Sequence, residues 1–557
     1  MRKFPYVRLS MMMFLQYAVW GAWLPMVAKY LSSPQIELEV KDWAAICKTL
    51  TEDGAKAEPS INKAFWEALA NSKDANLDLF KKASTGAALD AQEQIKLSSD
   101  LQAILASAEI YKDRDMSWIQ RTPKIGTLLD RLADSDKGAF TEIDRLSLNR
   151  LMFFHANPDK TVVREGGLGF TWAQIGLILG LAGSIGAVLS PFIAGQFADR
   201  YFSAERFLAV MILIGGCVKW LTAYQTTYTA WLWLSILYSV AFMPTLALTN
   251  SVAFAHMTNQ QKQFPIVRVW GTLGWIAASW AFPLIWLLTK IEFQALPPFY
   301  KGEDLPNSTE LLVNGLKFAG MLSFAYGLFC FFLPHTPPKK DAVEKLAFAK
   351  AFKLFKQPSF TILLLASIPV SVILQIYFIQ TSAFFGAIGV PDSHIGPAMT
   401  IGQFAEIFAM ALLGVMLAKA GFRWTIFVGI MAYVARFSIF GTTSLPVGVI
   451  VASQFFHGFC YACFFAGSFI YVDRIAPKDI RHSAQTLYGM FILGLGPVLG
   501  GYYCGWLGKH YAVAGAQLNY SGLWYNLAMI GLVTGIAFVV LFRTAPAAEE
   551  EGKAASA

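Results

Sequence analysis

A small set of ionisable and amide side chains stands inside long apolar runs of this sequence. They are Gln16, Lys219, Arg268, Gln375, Gln403, Glu406, Arg436, and His457 with Tyr461. A charge at the centre of a hydrocarbon layer costs about 3 kcal/mol or more, so each should face a cavity or a partner. Gln403 and Glu406 are three residues apart and share a helix face. A carboxylate so placed exchanges its proton according to its burial and its distance from a guanidinium, which makes Glu406 the natural proton-handling group. A structural ion pair with Arg268 or Arg436 is the alternative. His457 and Tyr461, one helical turn apart, are equally a packed aromatic face or a ligand platform. Arg436, followed by Phe437, Ser438 and Gly441, reads as a packed segment near the interface, and Lys219 as a side chain snorkelling to the outer surface. Trp20, Trp23, Trp270 and Trp275 offer flat faces on which a planar ring can stack.

Other chemistries are poorly represented. No nucleophile–base pair and no metal-ligand spacing is present, so an enzyme is the least favoured class and no cofactor or metal is expected. Cys460 and Cys463 form a CxxC inside an apolar helical run with no second ligand pair, and read as small packing residues. Of 557 residues 55% are hydrophobic and only 15% charged, against about a quarter charged in soluble domains. The net charge of +8 sits largely in short loops between apolar stretches, a membrane-topology pattern rather than a nucleic-acid-binding face.

The elements that must position these residues follow from bilayer thickness, which takes about 20 apolar residues per helix. Twelve spans are expected, near 9–31, 170–197, 206–224, 228–253, 265–289, 313–334, 358–385, 395–418, 422–441, 445–471, 482–507 and 521–543. The first is too long for a signal peptide and lacks a small-residue cleavage site, so it reads as a retained helix. Lysine and arginine gather in the loops on the side of the N-terminus, which places both termini in the cytoplasm. The expected organisation is helix 1 (1–31), a soluble insert (32–165), helices 2–6 (166–334), a basic cytoplasmic linker (335–357), helices 7–12 (358–545) and a tail (546–557). The insert falls outside the cytoplasm. Its apolar residues recur at helical spacing, as in Phe65 and Leu69 or Ile104, Leu105 and Ala108, and predict five or six short helices. It contains only Cys47, so no internal disulfide can staple it.

Between the second and third spans lies Gly195-Gln-Phe-Ala-Asp199-Arg200. It resembles a degenerate form of the loop signature of the major facilitator superfamily, and the six-plus-six division around a basic linker points the same way. The implied fold is all-α: a polytopic membrane protein of twelve helices in two bundles, with a helical extracytoplasmic insert. More specific runs follow in order: FLQYAVWGAWL (14–24), FMPTLALTNSVAF (242–254), FPIVRVWGTLGW (264–275), LQIYF (374–378), GQFAE (402–406), HG-x-CY (457–461) and IRHSAQTLYGMF (480–491). Together they resemble the nucleoside:proton symporter family over nearly all the membrane part, and not over the insert.

That resemblance implies a nucleoside held between the halves, by Arg268, Thr272 and Trp275 of helix 5, Gln375 of helix 7, Gln403 and Glu406 of helix 8, and His457 and Tyr461 of helix 10. Glu406 is then the proton-coupling residue, and Gly195, Asp199 and Arg200 the gating loop. Two positions depart from the family: Phe378 stands where an asparagine is common, and Ala462 where an aspartate is. The reading is proton-driven import of a nucleoside-like small molecule by a monomer in the bacterial inner membrane, with the lipid bilayer as its other partner and no nucleic acid. A transporter of another solute, such as a sugar or organic anion, is one alternative. A membrane sensor whose insert binds an extracytoplasmic partner is another.

Overall fold

Apolar runs of bilayer length must satisfy their own backbone groups, and helices are how a single segment does so. The computed structural model describes residues 5–33, 35–39, 79, 90, 92–93, 96, 99, 162–191, 193, 201–295, 297–305, 308–338, 352–477, 480–513 and 517–545. Each of the twelve expected spans coincides with helix. These are α1 (Tyr6–Ser32), α2 (Trp172–Ser190), α3 (Ala204–Thr222), α4 (Tyr228–Ala255), α5 (Gln260–Trp286), α6 (Asn314–Cys330) and α7 (Pro358–Ala387). A continuous stretch over Asp392–Gly441 comprises α8 and α9, separated by a kink at Gly421. Then come α10 (Val447–Ile475), α11 (Ser483–His510) and α12 (Tyr520–Leu541). Nine of the described helices, counting Asp392–Gly441 once, are long and apolar enough to cross a membrane.

The chain forms two compact units. The first comprises Met1–Ser32, Phe170–Trp286 and Leu312–Ala557, and holds all twelve helices. The second comprises Ser33–Gly169 with Leu287–Leu311, so the α5–α6 connection joins the insert, a partnership the sequence reading did not anticipate. The insert is also not helical throughout. Strands β1 (Gln35–Glu39) and β2 (Val162–Gly166) pair antiparallel, Gln35 opposite Gly166 and Glu39 opposite Val162. Leu287–Leu311 carries its own ribbon, β3 (Glu292–Phe293) against β4 (Tyr300–Lys301). Most of the helices expected within the insert, and the signature Gly195, Asp199 and Arg200, lie outside the described residues. A third short ribbon, β5 (Ala512–Val513) with β6 (Gln517–Leu518), links α11 to α12.

Lipid tails give helices no hydrophobic reason to associate, so small residues that permit close approach decide which helices touch. A Cβ at Gly176 of α2 would collide with the Gly501 carbonyl of α11, and one at Gly501 with Gly176. Buried polar groups add specificity. Gln16 of α1 donates to Thr245 (2.9 Å) and accepts from Thr249 (3.1 Å) of α4, while Thr249 also meets the Tyr326 hydroxyl of α6 at 3.1 Å. Gln16, a candidate site residue by composition, is thereby a structural one.

The α8–α9 connection is reduced to one residue. Gly421 has φ 72° and ψ 174°, a backbone conformation essentially restricted to glycine. A Cβ there meets nothing within 4 Å, so Gly421→Ala isolates the backbone term. It should destabilise the protein by about 1–3 kcal/mol, read as a lowered melting temperature in detergent; an unchanged melting temperature would show that the kink carries no strain for other residues.

Candidate functional site

Helices of the first unit leave a space between them where polar residues converge. A cavity of about 430 Å³ lies within the first unit, and all eight candidate binding residues line it: Arg268, Thr272, Trp275, Gln375, Gln403, Glu406, His457 and Tyr461. That size suits a small organic molecule. Both six-helix halves contribute, α5 from the first and α7, α8 and α10 from the second.

Arg268 stands at the centre of the polar set. Its guanidinium lies over the Tyr17 ring, 4.2 Å from the centroid, and stands within electrostatic range of Tyr461 and Glu406. Among the described residues no carboxylate forms a direct ion pair with it. The Glu406 backbone is fixed from behind, because Gly458 of α10 packs on the backbone of Ala405 and Glu406. Gln375 donates to the Leu179 carbonyl of α2 at 3.1 Å and so reaches across the halves. Two polar atoms of the set, Trp275 Nε1 and Gln403 Oε1, are buried without a hydrogen-bond partner in the protein. Buried polar groups are nearly always paired, so both fit the role of ligand contacts.

His457, read from the sequence as equally packing or ligand platform, lines the cavity and is held in place by its neighbours. Its ring stacks on Tyr377 (centroids 5.2 Å apart, 28° between planes), and its Nδ1 stands 2.9 Å from Arg436 Nη1. Arg436 is fully buried, reaches Gln454 Oε1 at 3.4 Å and lies over the Tyr377 ring at 4.1 Å. It is packed, as expected, but behind His457 rather than near an interface. With guanidinium N–H groups as donors, Nδ1 of His457 is the acceptor.

The structure sorts the candidate tryptophans and corrects the reading of Lys219. Trp20, Trp23 and Trp275 line the cavity, whereas the Trp270 indole donates to the Tyr6 hydroxyl at 2.8 Å. Lys219 does not snorkel outward. It is 2% exposed, lines the cavity, and sets its ammonium 3.3 Å from the Trp23 ring centroid. Nothing in the α3 sequence reveals which way that side chain turns. Phe378, the replacement for a common asparagine, does line the cavity; Ala462 is buried and does not. Three π-helical turns, Leu177–Leu181, Cys460–Ala466 and Phe491–Leu495, each contribute lining residues. Such turns recur at functional sites because they re-aim side chains and free carbonyls; Leu179, the acceptor for Gln375, sits in one.

The halves also meet beyond the cavity. Lys29 at the end of α1 forms an ion pair with Asp392 at the start of α8, and its backbone N–H donates to Ser382 Oγ of α7 at 3.2 Å. The Trp280 indole of α5 donates to Thr400 Oγ1 of α8 at 2.9 Å. Close packing of α2 against α11 adds Gly505 on Ala173 and Gly508 on Trp172. Because successive helices alternate in direction, the end of α1, the start of α2, the end of α7, the start of α8 and the end of α11 share one side. Contacts between the halves gather there.

Comparison with known proteins agrees with this geometry. A family profile described as nucleoside H+ symporter matches residues 163–547. The putative nucleoside transporter YegT of Escherichia coli is 32% identical over 389 residues, covering 67% of this chain and 87% of the relative. The nucleoside permease NupG of Escherichia coli is 26% identical, over 68% of this chain and 89% of the relative. A crystal structure of nucleoside transporter NupG superposes with a TM-score of 0.58, covering 68% of this chain and 92% of that one. The D-xylose–proton symporter matches at 11% identity and a TM-score of 0.53, covering 97% of this chain and 99% of that one, a likeness of fold alone. Both folds are major facilitator transporters.

The Gly458 contact has a direct consequence. Gly458→Ala places a methyl group against backbone, which cannot rotate away, and overpacking of this kind costs about 1–3 kcal/mol. Gly448→Ala, at a position with nothing within 4 Å, is the control. Ligand binding by thermal shift should weaken in the first variant and not in the second; equal binding in both would separate Glu406 from the ligand.

Proposed function

The chain belongs to the nucleoside H+ symporter family, and from that premise we propose that the cavity between its halves binds a nucleoside beside Glu406 and moves it with a proton. The protein is a multi-pass membrane transporter that carries nucleosides in symport with protons. The observation that carries the site assignment is the convergence of Arg268, Gln375, Gln403 and Glu406 from three helices on one cavity. The amides of Gln375 and Gln403 and the hydroxyl of Thr272 match the hydrogen-bonding edges of a base and the hydroxyls of a ribose. Trp20 and Trp275, whose rings meet edge to face with centroids 6.1 Å apart, supply the apolar walls that a planar base stacks on.

Glu406 gives the coupling its chemistry. Deprotonated, it is the counter-charge of Arg268; protonated, it releases that guanidinium to hydrogen-bond the substrate and becomes a donor itself. Proton and substrate therefore occupy one electrostatic unit, and the proton gradient biases loading. With Ala462 at the usual aspartate position, Glu406 carries this role without a second carboxylate from α10.

Lysine and arginine distribution supports a bacterial cytoplasmic membrane location with both termini inside. The contacts gathered between the halves then lie toward the outer side, and alternating access requires the Lys29–Asp392 pair and the α2–α11 glycine contact to separate. The working unit is one chain.

Purified protein in liposomes with an inward proton gradient tests the assignment. Wild type should accumulate radiolabelled uridine; Glu406→Gln should lose gradient-driven accumulation while still exchanging uridine across the membrane. Undiminished accumulation in Glu406→Gln would overturn the coupling role.

A further inference from the structure

Three lining side chains carry formal charges, Lys219, Arg268 and Glu406. One carboxylate therefore serves two cations, and the buried Arg436 behind His457 adds a third cation with no acid beside it. The glutamines and Glu406 come from the second half, whereas the excess includes Lys219, which α3 of the first half contributes. Its ammonium rests on two aromatic faces, 3.3 Å from the Trp23 centroid and 4.0 Å from that of Tyr238. Among the described residues no carboxylate pairs with it. Two neutral polar groups stand beside it, Trp23 Nε1 and Tyr238 Oη, both buried and without a hydrogen bond of normal geometry.

Ring faces attract an ammonium, yet a ring quadrupole does not replace the hydration shell of a buried cation. An ammonium, an indole N–H and a phenol O–H together form a donor-rich cluster with no carboxylate, which is the complement of an anionic group. The position of the cluster adds a constraint. Tyr238 stacks on Phe242 (5.1 Å), Phe242 meets Trp20 (5.7 Å), and Trp20 meets Trp275 (6.1 Å). This series runs from the ammonium to the helix that bears Arg268; Tyr238, Trp20 and Trp275 line the cavity and Phe242 is buried outside its lining.

Resting on the nucleoside reading above, we infer that the preferred substrate is a negatively charged ribosyl compound, whose anionic group binds Lys219 while its uncharged part meets Arg268, Gln403 and Glu406. The inference sharpens the substrate class and gives α3 a specificity-determining residue. It also explains how the site works with few acids: the substrate is the second counter-charge, and protonation of Glu406 on loading increases the attraction.

Matched probes test this. Uridine is neutral, uridine 5′-monophosphate places charge at the ribose end, and orotidine places it on the base. Binding of each is measured by calorimetry on the full chain in detergent, for wild type, Lys219→Gln and Lys219→Arg. At least one anion should bind wild type about tenfold tighter than uridine, as a charge-assisted hydrogen bond gives. Lys219→Gln should bring that ratio to about one, and Lys219→Arg should keep it. Which anion wins tells which end of the ligand faces α3. Uridine binding with no preference for either anion, or a preference that survives Lys219→Gln, overturns the inference and leaves the nucleoside reading standing. Binding of none of the three overturns both.

Discussion

Charge buried in a hydrocarbon-embedded bundle must be matched, and most of this structure follows from how few matches are available. The Lys29–Asp392 pair is consumed in holding two halves together. Inside the cavity, Arg268 and Glu406 balance each other at electrostatic range without a direct ion pair, a looser arrangement than a structural salt bridge. A looser pair is a switchable one. Whatever enters between them competes for both charges, and a proton on Glu406 changes what Arg268 can bind. The remaining cations, Lys219 and Arg436, are supported by aromatic faces rather than by acids.

The scaffold holds this arrangement with little local stiffness of its own. Glycine contacts bring backbones together between the halves, at Gly176 with Gly501, and behind the site, at Gly458 with Glu406. The π turns in α2, α10 and α11 sit where the cavity passes those helices, so irregular backbone occurs where it lines a polar space rather than where it faces lipid. Contacts of this kind are numerous and individually weak, which suits an interface that must open on one side as it closes on the other. A single large hydrophobic seam would resist that motion.

Much of this was legible in the sequence because the bilayer penalises polar side chains so steeply. Arg268, Gln375, Gln403 and Glu406 stood out as polar residues in apolar runs, and the structure brings all four to one cavity. The same argument could not sort Gln16, which ended in a hydrogen-bond network, from those four, since sequence does not say which face of a helix is packed. Lys219 was misread for that reason: a lysine near a helix end looks the same whether it points out or in. Helical periodicity carries no mark of a π turn, so those were invisible. The ribbon at the base of the insert did leave a trace, since Ile36-Glu37-Leu38-Glu39 alternates with period two, but helical spacing elsewhere in the insert masked it. The recruitment of residues 287–311 is a long-range pairing with no local signal.

The central claim is that one cavity, bounded by Arg268 and Glu406, holds the substrate. The direct measurement is a structure of the full chain with a bound nucleoside-class ligand, determined by electron cryomicroscopy or crystallography. The account predicts density between the halves, with ligand atoms within hydrogen-bond distance of Arg268 or Glu406 and a planar ring against Trp20 or Trp275. Ligand density outside this cavity, with Arg268 and Glu406 untouched, would contradict it.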